Sequence, residues 1–319
     1  MTYITSSRQL QTHDHKESDI QDFFKKYGPS ARDCYAYCSN LDSYLNTTIL
    51  PKLNKMSWDT IISALTSKGA VISLEEGSHR LILIEPQPNN VELPQIRIIT
   101  KAMGQLLWNQ DSVERGKNHR RLYTMLHRES SAKRFTGTLF EPPFHDLCVR
   151  GTTLKLYPMT ETTKGPANYT FVNYSTSEDV SEELVLPPQE EVTFNHNDPL
   201  TRLLPNRYYM PTAGNQPSYD SFIYESNFRR LTLTQITEGE SHGLKPKGIY
   251  GLRDLARKLL GISDLKLRVV IVVPENHQVM CPVDKAMYDK LGLEMYYVEV
   301  TESALYDTYG NVDVSQTIM

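Results

Sequence analysis

The stretch LRVVIVVP (267–274) constrains the fold more than any other part of the chain. It contains five consecutive β-branched residues and ends on Pro274. Such a run is typical of a strand buried on both faces, as in parallel or mixed sheets covered by helices. Predicted helices at 248–261 and in VDKAMYDKLG, and a last strand at 295–300, complete the unit. The pattern therefore predicts an α/β fold.

The size and composition of the chain narrow its class. Its 319 residues suggest two domains at roughly 100–200 residues per domain. A charged fraction of 23% is not that of a wholly disordered chain. No run of 18 apolar residues is present, so we expect no membrane span. The polar N-terminus and only 4 cysteines favour a reducing, intracellular setting.

The rest of the chain divides at about residue 130. Residues 1–130 form a helical or mixed region, in which Ser30 is a predicted helix N-cap after Gly28-Pro29. Beyond it, RFTGTLFEPPFHDLCVRG is predicted to hold an apolar helical segment, and residues 153–160 a short strand. The polar residues 160–200 are interpreted as a long loop or an irregular excursion. SFIYES and RRLTLTQIT are predicted strands.

Positive charge is concentrated in residues 115–134, which hold seven cations and one anion although the whole chain carries a net charge of -4. Such a cluster can neutralise several phosphates of a nucleic acid. A solvated helix face explains the same charges, and that alternative stays open.

Several familiar catalytic motifs are absent from the sequence, including GxxxxGK[ST], GxGxxG, GxSxG and HExxH. What remains is an ordered set of polar residues on predicted elements: Glu141, Asp220 and Gln235, followed by His242 and Lys245. A helix acid, an acid at a strand start and an amide on the next strand can converge on Mg²⁺, which prefers oxygen ligands. Such an ion polarises a scissile phosphate and activates an attacking water, and a nearby lysine stabilises the developing charge.

Each of these residues also has a simpler interpretation. Asp220 follows a Gly/Pro/Asn-rich stretch, where Asp often serves as a turn residue. Gln235 can be a solvent-facing strand residue, and Lys245 part of a basic loop. Glu141 precedes two prolines, which places it near a helix N-cap rather than in mid-helix. His145 and His242 are interpreted as supporting or surface residues.

The same residues carry a family resemblance. GTLFE…H, YYMPTAGNQPSYDSF, LTLTQIT…H and VVIVVP, in this order, resemble the C-terminal nuclease-like module of Crinkler and retrotransposon-hot-spot (RHS) type proteins. That module is related to the restriction-endonuclease, PD-(D/E)xK fold, a mixed sheet flanked by helices. The resemblance covers 131–305 and leaves 306–319 as a tail. Residues 1–130 more weakly resemble the helical tail that follows a P-loop ATPase, whose core is absent here.

The resemblance implies a set of roles. Asp220 matches the metal-binding Asp, Gln235 the first position of the (D/E/Q)-x-K element and Glu141 the acid of the first helix. Thr237 stands where an active nuclease has Lys, which leaves Lys245 or Lys247 to fill the gap, with Lys245 as the candidate catalytic cation.

Two functions are compatible with these roles. One is a metal-dependent DNA endonuclease-like effector that uses Mg²⁺ or Mn²⁺, with DNA favoured over RNA. The other is a catalytically degenerate nuclease-fold protein that binds nucleic acid or a protein partner without cleaving. Residues 1–130 are a candidate surface for a protein partner. The resemblance implies action in a nucleus, including that of a host cell.

Overall fold

The structure is a computed structural model that describes residues 15–55, 80–87, 90–100, 102–103, 106, 120, 123, 133–174, 181–195, 198–212 and 218–306. Most of the basic segment 115–134 and the tail beyond 306 therefore lie outside the described residues. Within that segment, Arg120 donates a 2.7 Å hydrogen bond to Glu302.

The N-terminal region begins with short helices. They are α1 (Glu17–Tyr27), α2 (Ala31–Tyr37), α3 (Leu41–Tyr44) and α4 (Leu50–Leu53), with a π-helical segment (Leu45–Ile49) before α4. The Ser30 hydroxyl accepts a hydrogen bond from the Asp33 backbone N–H at 3.4 Å, which confirms the predicted N-cap. Hydrogen bonds from Arg80, and from Tyr44 at 2.8 Å, lower the pKa of Asp33 to about 2 despite its burial.

A two-stranded hairpin and a long helix follow. The hairpin pairs β1 (Ile82–Gln87) with β2 (Asn90–Ile98). Helix α5 (Lys133–Arg150) contains Pro142 and Pro143 in its interior. Glu141 therefore lies in mid-helix, and the expectation of an N-cap position is wrong.

The centre of the molecule is an eight-stranded mixed sheet in the order β6-β3-β13-β11-β10-β9-β8-β7. Its strands are β3 (Thr152–Pro158), β6 (Glu182–Leu186), β7 (Glu190–Phe194), β8 (Arg207–Pro211), β9 (Ser221–Glu225), β10 (Arg230–Ile236), β11 (Lys266–Pro274) and β13 (Glu294–Val300). The predicted central strand is β11, which is parallel to both of its neighbours. The α/β fold class is confirmed.

A second, three-stranded sheet lies beside it. It contains β4 (Thr160–Lys164), β5 (Asn168–Val172) and β12 (Met280–Asp284). The prediction of a loop over 160–200 is thus wrong, since β4, β5, β6 and β7 all fall there. These strands are only five residues long and rich in Thr and Glu, so they show no clear alternation of apolar and polar residues. They are recognised as strands by their hydrogen bonds to neighbouring strands.

The connection between β6 and β7 shows that the large sheet is curled. These strands lie at its two opposite edges, yet only residues 187–189 join them, which span at most roughly 14 Å. Eight flat strands would measure about 34 Å across. The short connection is fastened to α5, because Gln189 N–H donates to the Val149 carbonyl at 2.9 Å.

Helices cover both faces of the large sheet. Against one face pack Phe140, Phe144 and Cys148 of α5, in a hydrophobic cluster that also includes residues of α1 and α2. Against the other packs α6 (Pro246–Leu260), together with α7 (Lys285–Leu291). The short helix α8 (Glu302–Tyr306) follows β13. In the described part of the chain, no helix has both the length and the apolar character needed to cross a membrane.

Candidate functional site

The candidate site lies where β10 ends and β9 begins. The two strands are antiparallel, with Thr234 opposite Ser221, so the residue before β9 meets the last residues of β10. Asp220 N–H donates to the Thr234 carbonyl at 2.8 Å, which extends the pairing by one step. This register brings together Asp220 and Gln235, which are fifteen residues apart in sequence.

Asp220 and Gln235 form a hydrogen-bonded polar pair. Gln235 Nε2 donates to Asp220 Oδ2 at 2.7 Å, and the Ile236 backbone N–H donates to the same oxygen at 2.7 Å. Gln235 is only 5% exposed, whereas Asp220 is half-buried. One carboxylate oxygen thus already accepts two strong hydrogen bonds, which stabilise its charged form.

The position that the resemblance assigns to a lysine holds a short buried side chain. Thr237 is 8% exposed, and its hydroxyl accepts a 3.0 Å hydrogen bond from the Gly239 N–H. Its backbone N–H donates to the Val272 carbonyl of β11. Thr237 therefore shapes the turn after β10 and supplies no positive charge.

The loop before α6 carries His242 and Lys245 close to Asp220. Burial lowers the pKa of His242, and Lys245 lowers it further, while the negative charge of Asp220 opposes both effects. The Lys245 backbone forms hydrogen bonds to the Ser218 hydroxyl through both its N–H and its carbonyl, and its side chain is exposed. The structure thus places His242 within electrostatic reach of both Asp220 and Lys245.

Glu141 lies on the other face of the sheet. Neighbouring residues on a strand point to opposite faces. Gln235 is thus on the side of Leu233, which packs with α6, whereas Thr234 faces α5. Glu141 belongs to α5 and contacts His145 Nε2 at 3.3 Å. Glu141 thus belongs to the helix that packs on the opposite face from the one that Gln235 points to, and a metal ion bound by Glu141, Asp220 and Gln235 together stays a prediction.

Glu141 instead begins a buried polar chain that the sequence did not reveal. His145 Nδ1 lies 2.8 Å from the Tyr208 hydroxyl, which accepts a 2.6 Å hydrogen bond from Ser221; Ser221 in turn contacts the Thr234 hydroxyl. The chain connects α5 to β8, β9 and β10 through the core. His145 is thus a supporting residue, as interpreted from the sequence.

Ser218 is a further residue that sequence reasoning missed. It is 4% exposed and has a φ of 80°, a backbone conformation that residues other than glycine seldom adopt. Ser218 lies two residues before Asp220, and its hydroxyl group donates a hydrogen bond to the Lys245 carbonyl. The only sequence signal was its place in the turn-like PSYD.

Among the described residues, no group of three or more His, Cys, Asp or Glu side chains is arranged to hold a metal ion. Mg²⁺ or Mn²⁺ binding at Asp220 and Gln235 stays a prediction.

Comparison with protein-family models, with curated proteins and with solved structures finds no match to this chain. The site is therefore interpreted from its own geometry.

Proposed function

We propose that this chain is a catalytically degenerate nuclease-fold protein that binds DNA without cleaving it. The observation that carries the proposal is the Asp220–Gln235 pair, in which the amide of Gln235 occupies an oxygen that a metal ion would otherwise use. An amide that donates to the carboxylate stabilises the pair without a cation.

The remaining geometry supports the same proposal. Thr237 replaces the charged amine that phosphodiester hydrolysis would use, and Glu141 lies across the sheet. The meander β8-β9-β10, the crossover helix α6 and the parallel strand β11 form a mixed sheet flanked by helices. The resemblance to Crinkler and RHS type modules implies this architecture. The fold therefore supports the proposed relationship to those modules.

Binding of DNA is supported by charge near the site. Lys245 and Lys247 are exposed at the start of α6, where helix N–H groups also favour an anion. The basic segment 115–134 is a further candidate contact with the phosphate backbone. The resemblance also implies an effector role in a nucleus, including the nucleus of a host cell, and we include that role in the proposal.

The test is incubation of the purified full chain with supercoiled plasmid and Mg²⁺ or Mn²⁺, with Asp220→Ala alongside. We expect no nicking by either protein, and salt-sensitive retention of DNA by both. Nicking by the parent that is lost in Asp220→Ala would overturn the proposal and establish a metal-dependent endonuclease. Absence of any DNA retention by the parent would also overturn it.

A further inference from the structure

A basic surface covers the outer side of α6 and α7. Helix α6 carries four cations and one anion, and α7 carries two cations and one anion. These two helices thus have a net charge of +4 in a chain whose total is -4. We call this the α6–α7 surface; its members are Lys247, Tyr250, Gly251, Arg253, Lys258 and Lys290.

An aromatic ring holds two of the cations in place. The Arg253 guanidinium and the Lys290 ammonium each lie 5.3 Å from the centre of the Tyr250 ring. Contacts of this kind fix the heads of long side chains that would otherwise be mobile. Arg253 also donates to Asp254 at 2.7 Å, so one anion on the surface is already bound by a neighbour.

Gly251 lies in the middle of this surface, and no contact among the described residues requires a glycine there. It is exposed in the interior of α6, and a Cβ added there would meet no atom within 4 Å. Glycine at such a position costs about 0.5–1 kcal/mol relative to alanine. The described residues around Gly251 leave room for a side chain, so packing does not explain the glycine. A ligand backbone that comes close to the helix at this point would explain it, because only glycine leaves the helix surface bare.

The lysines are spaced to follow an extended anion. Lys247 and Lys258 are both exposed and lie on one side of α6, and eleven residues of helix separate them by roughly 16 Å. That length matches about five phosphates of one strand counted along the axis of a DNA duplex, at a rise of roughly 3.4 Å each. Lys245 and the Asp220–Gln235 pair lie at the end of α6 from which this row starts.

We infer that the α6–α7 surface binds the phosphate backbone of nucleic acid, which extends the contact from the candidate site along α6. This inference rests on the proposed function and adds the location of the contact. Gly251 allows the backbone to approach, and Lys247, Lys258 and Lys290 neutralise phosphates.

The experiment measures binding of labelled duplex DNA by anisotropy at several salt concentrations. The test variant is Lys247→Gln/Lys258→Gln/Lys290→Gln. The matched control is Lys16→Gln/Lys25→Gln/Lys55→Gln, which removes three exposed lysines from the N-terminal region. We expect the test variant to lose at least tenfold in affinity, and its salt slope to fall by about 2.7 for three phosphate contacts. The control should bind within about twofold of the parent.

A second variant tests the steric part of the inference. Gly251→Gln should fold at least as stably as the parent and bind DNA more weakly, because its side chain enters the space that the backbone would occupy. Unlabelled single-stranded DNA and polyglutamate serve as competitors, and we expect only DNA to displace the probe effectively.

The outcomes separate the two proposals. If the parent binds DNA and the test variant binds equally, the α6–α7 surface is the wrong location, although the proposed function stands. If the parent binds no DNA, the proposed function fails. Displacement by polyglutamate as effective as by DNA would overturn the inference in favour of a general polyanion surface.

Discussion

The side-chain amide of Gln235 donates a 2.7 Å hydrogen bond to Asp220 Oδ2 and so connects the end of β10 to the residue that precedes β9. Two of the three residues that the resemblance assigns to metal binding are therefore partners of each other. An ionised carboxylate at position 235 can only accept hydrogen bonds, so this contact depends on the amide N–H group of Gln235.

Gln235→Glu tests this relationship directly. Two adjacent carboxylates would repel each other and the donor would be lost, so we expect a loss of about 1–3 kcal/mol in the free energy of unfolding at pH 7. The new pair should also bind Mn²⁺, which would restore about 2.7 kcal/mol at a hundredfold excess over Kd. Thermal denaturation with and without Mn²⁺ measures both effects.

Gln235→Leu is the control, because it removes the donor and adds no charge. It should be destabilised without any response to Mn²⁺. If Gln235→Glu shows no response either, the pair is too constrained to coordinate an ion.

Arg268 is predicted to be the most sensitive residue of the central sheet. It is 0% exposed and donates to Glu182 at 2.6 Å and to Glu225 at 2.8 Å. Arg268→Met would remove one of the two guanidinium partners of the largely buried Glu225, which keeps Arg230, so we expect a cost somewhat below the about 3–5 kcal/mol of a buried pair that loses its partner completely. Arg229→Met breaks an exposed pair with Asp264 and should leave urea denaturation unchanged. Equal effects of the two variants would contradict this prediction.

Gly151 is predicted to be required by both its backbone and its surroundings. It has a φ of +96°, and an added Cβ would lie 2.8 Å from the Pro188 nitrogen in the connection between β6 and β7. We expect Gly151→Ala to cost about 1–3 kcal/mol. Gly292→Ala, at a φ of +57° with open space around it, should cost less. Chemical denaturation of both variants measures the difference, and the reverse order would argue against a tight connection.

Protonation of His242 is predicted to destabilise the fold. Its pKa is lowered from 6.5, chiefly by burial, so the folded chain binds its proton less readily than the unfolded chain. The stability that this residue contributes is therefore fully present above pH 6.5 and is lost as the pH falls below that value. Comparison of the parent with His242→Gln between pH 7.5 and 5.5 isolates the effect. A difference between them that does not change with pH would show that His242 does not titrate in this range.

Local sequence determined much of the regular structure. The β-branched run at 269–273 is β11, and Gly261 ends α6 with a φ of +67°. The Ser30 cap and the alternation along β10 were equally readable, because a cap or an alternating strand requires only neighbouring residues. The strands between 160 and 194 were not readable, because each depends on hydrogen bonds to a distant partner.

Only the tertiary structure decided which candidate residues meet. The sequence identified Asp220, Gln235 and Glu141 but could not assign them to faces of the sheet. The antiparallel register of β9 and β10 brings Asp220 next to Gln235. Glu141 belongs to α5, which packs on the opposite face of the sheet. Strand register and helix docking are set by contacts between residues far apart in the chain, where no local pattern records them.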